Sequence, residues 1–303
     1  MQRKVHVEKL AQFSGHTGNI YGLYCSPVSG KVYTGASDGY VVEWDLTKPD
    51  EGRLICRLNE PIYSIYLFEP KQQLWIGVAS GNIHVVDLIT KEELKNISVH
   101  RSGVFDLKGR DGKILAAGGD GSVSIFNASD YSLEKCRNFS DKSARILAFH
   151  PHKDIVAVGF SDCSILFLNE KLEVLDAKMD AHGNSVFSLA YTPDGQYLLS
   201  GGRDAMLKIW KVTEGVSLFQ EIPAHNLHVH SLSVQKEGSM FLSSSMDKTI
   251  KIWDLEGFSL LKVIDKQRNN SHVNSVNKIV WVNESDFVSI SDDKLVMHWR
   301  VIS

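Results

Sequence analysis

The chain has 303 residues, of which 43% are apolar and 23% are charged, and its formal net charge is −3. A chain of this length can bury a large core. Its weakly negative charge and its lack of any long Lys/Arg run argue against a nucleic-acid-binding surface and against a polybasic membrane patch.

The N-terminal segment and the cysteines bear on the location of the protein. Residues 1–9 lack the apolar stretch of a signal peptide, and no segment provides the roughly 20 apolar residues that a membrane-spanning helix needs. The cysteines form no Cys-x-x-Cys pair, and we interpret them as reduced packing residues. They are Cys25, Cys56, Cys136 and Cys163. We therefore expect a cytoplasmic protein without membrane contacts.

A strand-like segment, residues 4–13, precedes the first copy of a repeated pattern. The pattern runs from Gly15-His16 to Trp44-Asp45, and the Trp comes 28 positions after the His. Similar pairs recur at 181–182 and 210–211, at 224–225 and 253–254, and at His272 and Trp299. The positions equivalent to Trp44 are Val86, Phe126, Leu168, Trp210, Trp253 and Trp299. They follow one another at intervals of 40 to 46 residues, so seven copies of one unit fill the chain.

The fifth unit displays the strand pattern most clearly. Alternating apolar segments at 186–191, 197–200, 207–210 and 217–222 are separated by turns rich in Gly, Asp and Pro. We infer four antiparallel strands in each unit. A four-stranded sheet buries both of its faces only between copies of itself, and a radial arrangement satisfies that constraint. The sequence therefore predicts an all-β fold, a seven-bladed β-propeller.

These motifs resemble those of the WD-repeat (WD40) β-propeller family over essentially the whole chain. The spacing from Gly-His to Trp-Asp, the Asp six residues before the Trp, and the period of 40 to 46 residues carry the resemblance. The resemblance implies that a His, a Ser or Thr, an Asp and a Trp form a hydrogen-bonded tetrad that stabilises a blade. The units that match at every position contain His16, Thr34, Asp38 and Trp44; His182, Ser200, Asp204 and Trp210; His225, Ser243, Asp247 and Trp253; and His272, Ser289, Asp293 and Trp299.

A Ser, a His and an Asp that recur together could also be read as a hydrolase triad. Four such sets in one chain, each with a Trp, make no sense as four active sites, so we assign them a structural role. A His or an Asp buried between sheets needs partners, because an unpaired buried polar group costs several kcal/mol.

Units 2 to 4 depart from the pattern. Unit 2 has Ser80 and Val86 in place of Asp and Trp, unit 3 keeps His100 and Asp120 but has Ala116 and Phe126, and unit 4 keeps Asp162 without the His or the Trp. We expect these blades to depend more on apolar packing. They could meet a partner, or they could simply have lost a redundant brace.

The two ends of the chain predict how the ring closes. The last unit has only three strands and ends at residues 299–302, whereas residues 4–13 belong to no unit. We predict that the N-terminal strand completes the last blade and leaves no unpaired edge across the ring. Residues 1–303 are then expected to form a single domain.

Function is expected on the loops and at the mouth of the central channel, because the fold itself does not specify it. The innermost strand of each unit begins at an aliphatic residue, and the next residue points the other way. In propellers that resemble this one, that next position lines the channel mouth, where peptides dock. It is occupied by Tyr21, Tyr63, Phe105, Arg145, Phe187, His230 and Asn277, which we call the mouth residues.

The composition of the mouth favours binding. Aromatic residues and Arg are enriched in binding hot spots, and an Arg in a partly dry site favours a carboxylate or a phosphate. The alternative is that these large side chains merely fill the channel. The residues before the tetrad Asp are expected to form an outer rim, with Arg203 and Met246 as partner contacts. The rim comprises Ser37, Gly119, Ser161, Arg203, Met246 and Asp292.

The histidines at 225, 228 and 230 raise the question of a metal site. Zinc needs three or four converging ligands, and His225 already belongs to a tetrad, so we predict no metal. We also predict no cofactor, because no Gly-rich phosphate loop follows a strand and opens a helix.

Two classes of function remain. We favour a non-catalytic scaffold, a monomeric ring within a complex that binds a protein or peptide partner, and not nucleic acid, at the channel mouth or the blade loops. The alternatives are a propeller enzyme of the hydrolase or lyase type, and a binder of a small anionic ligand that uses Arg145 and the channel aromatics. The mouth residues include one His and no carboxylate, which argues against the enzyme.

Overall fold

The computed structural model describes residues 5–49 and 51–302, and strands account for most of them. In chain order the strands are β1 His6–Ser14, β2 Ile20–Cys25, β3 Val32–Ala36, β4 Tyr40–Trp44, β5 Gly52–Arg57, β6 Ile62–Phe68, β7 Gln73–Val78, β8 Asn82–Asp87, β9 Glu93–Ser98, β10 Val104–Arg110, β11 Lys113–Gly118, β12 Ser122–Asn127, β13 Leu133–Asn138, β14 Ala144–Phe149, β15 Ile155–Phe160, β16 Ile165–Asn169, β17 Val174–Lys178, β18 Val186–Tyr191, β19 Tyr197–Gly202, β20 Met206–Lys211, β21 Ser217–Pro223, β22 Val229–Val234, β23 Met240–Ser245, β24 Ile250–Asp254, β25 Leu260–Ile264, β26 Val276–Trp281, β27 Asp286–Ser291 and β28 Leu295–Ile302. A short 3-10 helix spans Glu69–Lys71, and a one-turn helix, α1, spans Lys266–Asn269.

The strands form seven antiparallel sheets of four strands each. Six sheets use four consecutive strands, starting at β2, β6, β10, β14, β18 and β22, and we call them blades 1 to 6. The first strand of each blade is the innermost. These innermost strands pack against one another in order around the ring, and β26 of the last blade packs against β2 of the first. This closed order confirms the predicted seven-bladed β-propeller.

The N-terminal strand completes blade 7, as predicted. Strand β1 pairs antiparallel with β28, from His6 opposite Ile302 to Ser14 opposite Leu295. The order within this sheet is β1-β28-β27-β26, so one sheet holds segments from both ends of the chain. Residue 4 of the predicted strand lies outside the described residues.

Apolar side chains fill the spaces between neighbouring blades. At the junction of blades 7 and 1, Phe13, Ile20 and Trp44 are buried in one cluster with Val288 and Ile290. Both faces of a blade are covered in this way, which explains why all six residues of β7 are buried. Each blade therefore depends on its two neighbours for its core.

Glycine in the second strand of a blade lets the next blade approach closely. A Cβ atom on Gly77 would lie 2.7 Å from Cγ1 of Val104, and one on Gly159 would lie 2.7 Å from Cγ1 of Val186. Val104 and Val186 are the first residues of β10 and β18. The innermost strand of the following blade thus packs directly against backbone, and a side chain at either glycine would force the two blades apart.

The structure brings the residues of each predicted tetrad together. In blade 5, Trp210 Nε1 donates to Ser200 Oγ over 2.8 Å, and Ser200 Oγ lies 2.7 Å from Nε2 of His182. Nδ1 of the same ring lies 3.0 Å from the carboxylate of Asp204. Because the Trp donates to the oxygen of the hydroxyl, the hydroxyl can donate its own proton to Nε2 of the His. Nδ1 of the His can then donate to the carboxylate. Both ring nitrogens of His182 therefore have a partner.

The other three complete tetrads repeat this geometry. The Trp-to-hydroxyl distances are 2.7 Å in blade 1, 2.8 Å in blade 6 and 2.9 Å in blade 7. The corresponding distances from the hydroxyl to the His Nε2 atom are 2.8, 2.7 and 2.8 Å. The carboxylates lie 3.2, 3.1 and 2.9 Å from the His Nδ1 atoms. These twelve residues are His16, Thr34, Asp38 and Trp44; His225, Ser243, Asp247 and Trp253; and His272, Ser289, Asp293 and Trp299.

In blades 1 and 6, the environment of the tetrad favours a neutral His and an ionised Asp. Burial lowers the pKa of His16 and of His225, although the neighbouring carboxylate opposes this effect. Burial alone would raise the pKa of Asp204, but hydrogen bonds from His182 and from backbone N–H groups lower it to about 2. The carboxylate is thus stabilised by fixed donors in a partly dry site.

Blade 3 contains a brace in which the hydroxyl comes from a different strand. His100 Nδ1 lies 3.2 Å from Asp120, and its Nε2 lies 2.9 Å from Oγ of Ser124. Ser124 stands directly opposite Ala116 in the pairing of β11 with β12. The hydroxyl has therefore moved one strand outward, and blade 3 keeps a polar brace beside the buried ring of Phe126.

Blades 2 and 4 use other polar contacts. In blade 2, the carboxylate of Glu60 accepts hydrogen bonds from the backbone N–H and the hydroxyl of Ser80, over 2.7 and 3.0 Å. In blade 4, Asp162 accepts hydrogen bonds from the hydroxyls of Ser140 and Ser164. The Trp position is apolar in both blades, where Val86 and Leu168 are buried.

Deletion of residues 1–13 is expected to open the ring, because it removes β1 from the edge of β28. We propose that the whole chain, residues 1–303, unfolds as one domain, so the truncated chain should melt at a lower temperature and less cooperatively. The point variant Phe13→Ala removes a fully buried ring and should reduce the free energy of unfolding by about 3 to 5 kcal/mol. Glu8→Gln, at an exposed position of the same strand, is the control. Circular dichroism melts check this, and an unchanged melting temperature after deletion would contradict the closure.

Replacement of Ser124 by Ala is expected to destabilise the protein by about 1 to 3 kcal/mol, because it leaves Nε2 of the buried His100 without a partner. Ser200→Ala should cost more, since both His182 and Trp210 lose a partner. Ser129→Ala, at an exposed position of the loop after β12, is the matched control. Urea unfolding followed by tryptophan fluorescence measures the difference. Equal stabilities of Ser124→Ala and Ser129→Ala would show that blade 3 has no working brace.

Acid is expected to destabilise the ring in two steps. The pKa of His16, His100 and His225 is lower in the folded chain than the ordinary value of 6.5, so the unfolded chain binds more protons as the pH falls below 6.5. Asp204, with a folded pKa of about 2, adds a second loss as the pH falls from 3.8 towards that value. The urea midpoint should therefore fall as the pH drops below about 6.5, and fall further as the pH drops below about 4. A midpoint that is constant over the first interval would contradict neutral tetrad histidines.

Candidate functional site

Each innermost strand has a β-bulge at its second residue. In blade 1, Ile20 pairs with Ala36 and Gly22 pairs with Gly35, so Tyr21 has no partner in the ladder. The register shifts in the same way at the second residue of the other six innermost strands. A bulge redirects the side chain of the extra residue. The mouth residues predicted from the sequence are therefore all bulge residues.

All seven mouth residues line one cavity of about 650 Å³ in the central channel. They are Tyr21, Tyr63, Phe105, Arg145, Phe187, His230 and Asn277, and each is partly exposed. A cavity of this size falls within the range of ligand pockets. The channel is therefore open at this level rather than completely filled by the large side chains.

The aromatic mouth residues form a continuous belt with Arg145. The ring centroids of Tyr63 and Phe105 are 5.4 Å apart and nearly parallel, and Tyr21 meets Tyr63 at 5.7 Å. The guanidinium carbon of Arg145 lies 4.1 Å from the ring centroid of Phe105 and 5.5 Å from that of Phe187. The cation thus stands between two aromatic faces, an arrangement that holds its position by cation–π attraction.

Arg145 has spare hydrogen-bonding capacity. Its Nε donates to Ser161 Oγ over 2.8 Å, whereas its terminal nitrogens make no hydrogen bond or ion pair with the described residues. Four N–H donors of the guanidinium therefore remain. Burial lowers the pKa of Arg145, and the nearby charge of Arg203 lowers it further. A partly desolvated cation next to a second cation favours an anionic ligand.

The opposite side of the mouth is occupied by internal hydrogen bonds. Asn277 Nδ2 donates to the carbonyl of Ile20 over 2.9 Å and to Asp292 Oδ1 over 2.7 Å, which connects blade 7 to blade 1. Ser275 Oγ donates to Asn277 Oδ1 over 3.1 Å and lies 3.2 Å from Nδ1 of His230. Burial lowers the pKa of His230 to about 4. His230 is therefore neutral near pH 7, and the hydrogen-bond donors on this side of the mouth are largely used.

The predicted rim lies on the same face as the mouth. The backbone N–H of Arg203 donates to Ser185 O over 2.8 Å, and that of Met246 donates to His228 O over 3.1 Å. Arg203 is exposed, and the Met246 side chain is 43% exposed. The other predicted rim residues take part in internal hydrogen bonds. Ser37 and Ser161 accept them through their hydroxyls, Gly119 through its carbonyl, and Asp292 through its carboxylate.

Two charged residues below the mouth were missed by the sequence reasoning. Asp106 and Lys278 follow directly after the mouth residues Phe105 and Asn277, and both line the cavity. Lys278 Nζ lies 3.8 Å from Asp106 Oδ1. The signal was present, because counting one residue beyond each mouth position finds both charges.

The histidines at 225, 228 and 230 have partners within the protein. Both ring nitrogens of His225 are engaged, by Asp247 and by Ser243. Among residues 5–49 and 51–302 no group of three or more His, Cys, Asp or Glu side chains is arranged to hold a metal ion. His228 instead lies beside the ring of Phe187, with centroids 5.8 Å apart, at the edge of the mouth.

The cysteines are unpaired thiols in the structure. Burial raises the pKa of Cys25 to about 11 and that of Cys56 to about 12, so neither is a reactive thiolate at neutral pH. Within the part of the chain that the structure describes, no helix reaches the length and hydrophobicity that a bilayer crossing requires.

Comparison with known families finds two matches. The model described as "WD domain, G-beta repeat" matches residues 7–45 and 91–127, and the model described as "IFT140 first beta-propeller" matches residues 112–235. The first model covers complete repeats, including the tetrad of blade 1 from His16 to Trp44. The second covers the region that contains the degenerate blade 4 and the complete blade 5.

Individual proteins are similar to this chain over most of its length. The Transcription factor unc-37 of Caenorhabditis elegans is 27% identical over 195 residues, which are 61% of this chain and 30% of that protein. Striatin of Homo sapiens is 24% identical over 243 residues, which are 71% of this chain and 30% of that protein. The chain thus spans less than a third of the length of these relatives. The WD40 β-propeller domain of Doa1 superimposes with a TM-score of 0.86 over 97% of both chains, at 20% identity, which supports the fold alone.

Proposed function

Because the chain belongs to the WD-repeat β-propeller family, we propose that it is a non-catalytic interaction scaffold that binds a protein or peptide partner at the channel mouth. The partner carries an anionic group, a carboxylate or a phosphate, that contacts Arg145. The observation that carries this proposal is the state of Arg145. It is a partly buried cation with four free N–H donors, and no carboxylate of the described residues neutralises it.

The surroundings of Arg145 support a peptide as the partner. The rings of Phe105 and Phe187 on either side of the guanidinium offer flat apolar surfaces for aliphatic or aromatic side chains. Met246 and Leu227 are exposed on the rim of blade 6, next to His228. A peptide that crosses this rim would bury apolar side chains there while its anionic group contacts Arg145.

The acidic groups around the mouth support binding without catalysis. Asp292 accepts a hydrogen bond from Asn277, and Asp106 accepts one from the backbone of Leu147. The hydrogen bond to Asp106 connects blades 3 and 4, whereas the one to Asp292 lies within blade 7. Asp106 also faces the ammonium group of Lys278. Within the described residues, neither carboxylate accepts a hydrogen bond from a hydroxyl, a thiol or a histidine that could relay a proton.

The cellular compartment and the assembly state of the protein are also part of the proposed function. We place it in the cytoplasm, because its four cysteines are unpaired thiols, which suits a reducing compartment. The ring acts as a monomer within a larger complex and binds neither nucleic acid nor membrane, in keeping with its net charge of −3.

Replacement of Arg145 by Gln is expected to weaken partner binding about tenfold or more, because the anionic group loses its charge-assisted contact with the guanidinium group. The triple variant Phe105→Ala, Arg145→Ala, Phe187→Ala should abolish binding. Affinity purification with wild-type protein identifies partners, and titration calorimetry with the purified partner measures the change. Both variants must first unfold cooperatively at a temperature close to that of wild type.

The matched control is Arg137→Gln. Arg137 also stacks on an aromatic ring, Phe139, at 5.1 Å, but it lies on the outer strand β13. Its replacement should leave the set of partners unchanged. If the triple variant retains every partner, recognition lies on the sides or on the lower face, and the proposal is wrong.

A further inference from the structure

A lysine projects into the central channel just below the mouth. Lys278 belongs to β26 of blade 7, and its partner Asp106 belongs to β10 of blade 3. Blades 1 and 2 separate them on one side of the ring and blades 4 to 6 on the other. The ion pair between them therefore crosses the lumen rather than joining adjacent blades.

The two members of this pair are held differently. Asp106 is only 3% exposed, and its Oδ2 accepts a hydrogen bond from the backbone N–H of Leu147 over 3.0 Å. The Lys278 side chain is 25% exposed, and its Nζ lies 3.8 Å from Asp106 Oδ1, which is too far for a hydrogen bond. The ammonium group of Lys278 makes no hydrogen bond with the described residues. Its ammonium group therefore has three free donors within an open channel.

The charges that line the channel do not balance. Among the described residues, the cavity is lined by three with cationic side chains, Arg145, Lys108 and Lys278, and by one carboxylate, that of Asp106. Burial lowers the pKa of Lys278, Asp106 raises it, and Lys108 lowers it again. The ammonium group is thus partly removed from water, and Asp106 balances its charge only in part. An anion in the lumen would replace the lost hydration and balance the remaining charge.

We propose that the channel below the mouth is an oxyanion-binding site in which Lys278 contacts a carboxylate or phosphate group and Asp106 is the internal counterion that the ligand replaces. The site lies one residue below the level of Arg145, so a group that enters between the aromatic mouth residues reaches it next. This inference deepens the proposed function and rests on it for the peptide-borne case, whereas a free anion can reach Lys278 without any partner.

Replacement of Asp106 distinguishes an anion site from a purely structural ion pair. An entering oxyanion competes with Asp106 for the same ammonium group. The Asn side chain in Asp106→Asn still accepts the hydrogen bond from Leu147 but no longer competes. This variant should therefore bind anions several-fold more tightly, whereas loss of a structural pair would only destabilise the fold.

The test observes Lys278 directly by NMR. Lysines are reductively methylated with 13C-formaldehyde, which keeps their charge, and the Lys278 signal is assigned by its absence in Lys278→Arg. Inorganic phosphate at about 1 to 10 mM should shift this signal in the full chain. The signal of Lys208, whose ammonium pairs with Glu221 on the outer part of blade 5, serves as the internal control.

Two arms distinguish the sources of the oxyanion. The first uses phosphate alone, and the second uses the peptide acetyl-Gly-Gly-Glu-Gly-Gly-amide beside its Gln counterpart. A shift with phosphate identifies a site for a free anion, and a shift with the Glu peptide but not with the Gln peptide identifies a site for a peptide-borne carboxylate. If neither probe shifts the Lys278 signal, or if Asp106→Asn binds phosphate no better than wild type, the inference is overturned.

The Arg145→Gln variant separates this inference from the proposed function. The phosphate response of Lys278 should persist in Arg145→Gln, even though partner binding at the mouth is weakened. A phosphate response together with unchanged partner binding would reject the mouth as the partner site and retain the lumen site. Loss of the phosphate response in Arg145→Gln would show that the anion binds at Arg145, and that result would overturn the lumen site.

Discussion

The burial of both faces of every blade is the constraint on which the rest of the structure depends. No single blade can cover its own apolar surface, so each core exists only at a junction between two blades. The cluster that joins Phe13 and Trp44 to Val288 shows this at the point where the ring closes. Closure by β1 and β28 is consequently as important for blade 1 as for blade 7, because the first junction is built from residues of both. The glycines that face Val104 and Val186 serve the same end, since they allow neighbouring blades to pack against backbone.

The polar braces require particular chemical groups around the histidine, but these groups need not come from the same sequence position in every blade. Nε2 of a buried neutral histidine needs a hydroxyl, and Nδ1 needs a carboxylate. In blade 5 the hydroxyl comes from Ser200 on the second strand, whereas in blade 3 it comes from Ser124 on the third. Both hydroxyls reach the same side of the imidazole because the two positions are opposite each other in the ladder. What blade 3 loses is the Trp donor, and the ring of Phe126 fills that volume instead.

Much of this architecture was predictable because it is periodic. The number of blades and the first residue of each innermost strand follow from the spacing between repeats, and so does the strand that completes blade 7. The brace through Ser124 was not predictable from the repeat, because it depends on which residues of two strands face each other. The bulge at Tyr21 and its equivalents is a property of backbone hydrogen bonding, and nothing in the side-chain pattern specifies it. The pair between Asp106 and Lys278 joins blades 3 and 7, and only closure of the ring brings them together.

The mouth is asymmetric, and the asymmetry follows from which side chains already have partners. The side-chain amide of Asn277 donates hydrogen bonds both to the backbone of blade 1 and to Asp292, so this side of the mouth stabilises the ring. Arg145 uses one of its five N–H donors for Ser161, and the other four have no acceptor among the described residues. The guanidinium group lies between two aromatic rings. A ligand gains the most binding free energy where a charged group of the protein is partly buried and lacks a hydrogen-bond partner. There a charge-assisted hydrogen bond to the ligand offsets the cost of having removed the charge from water. Recognition is therefore expected on the side of blades 3 to 5, while blades 7 and 1 keep the opposite wall fixed.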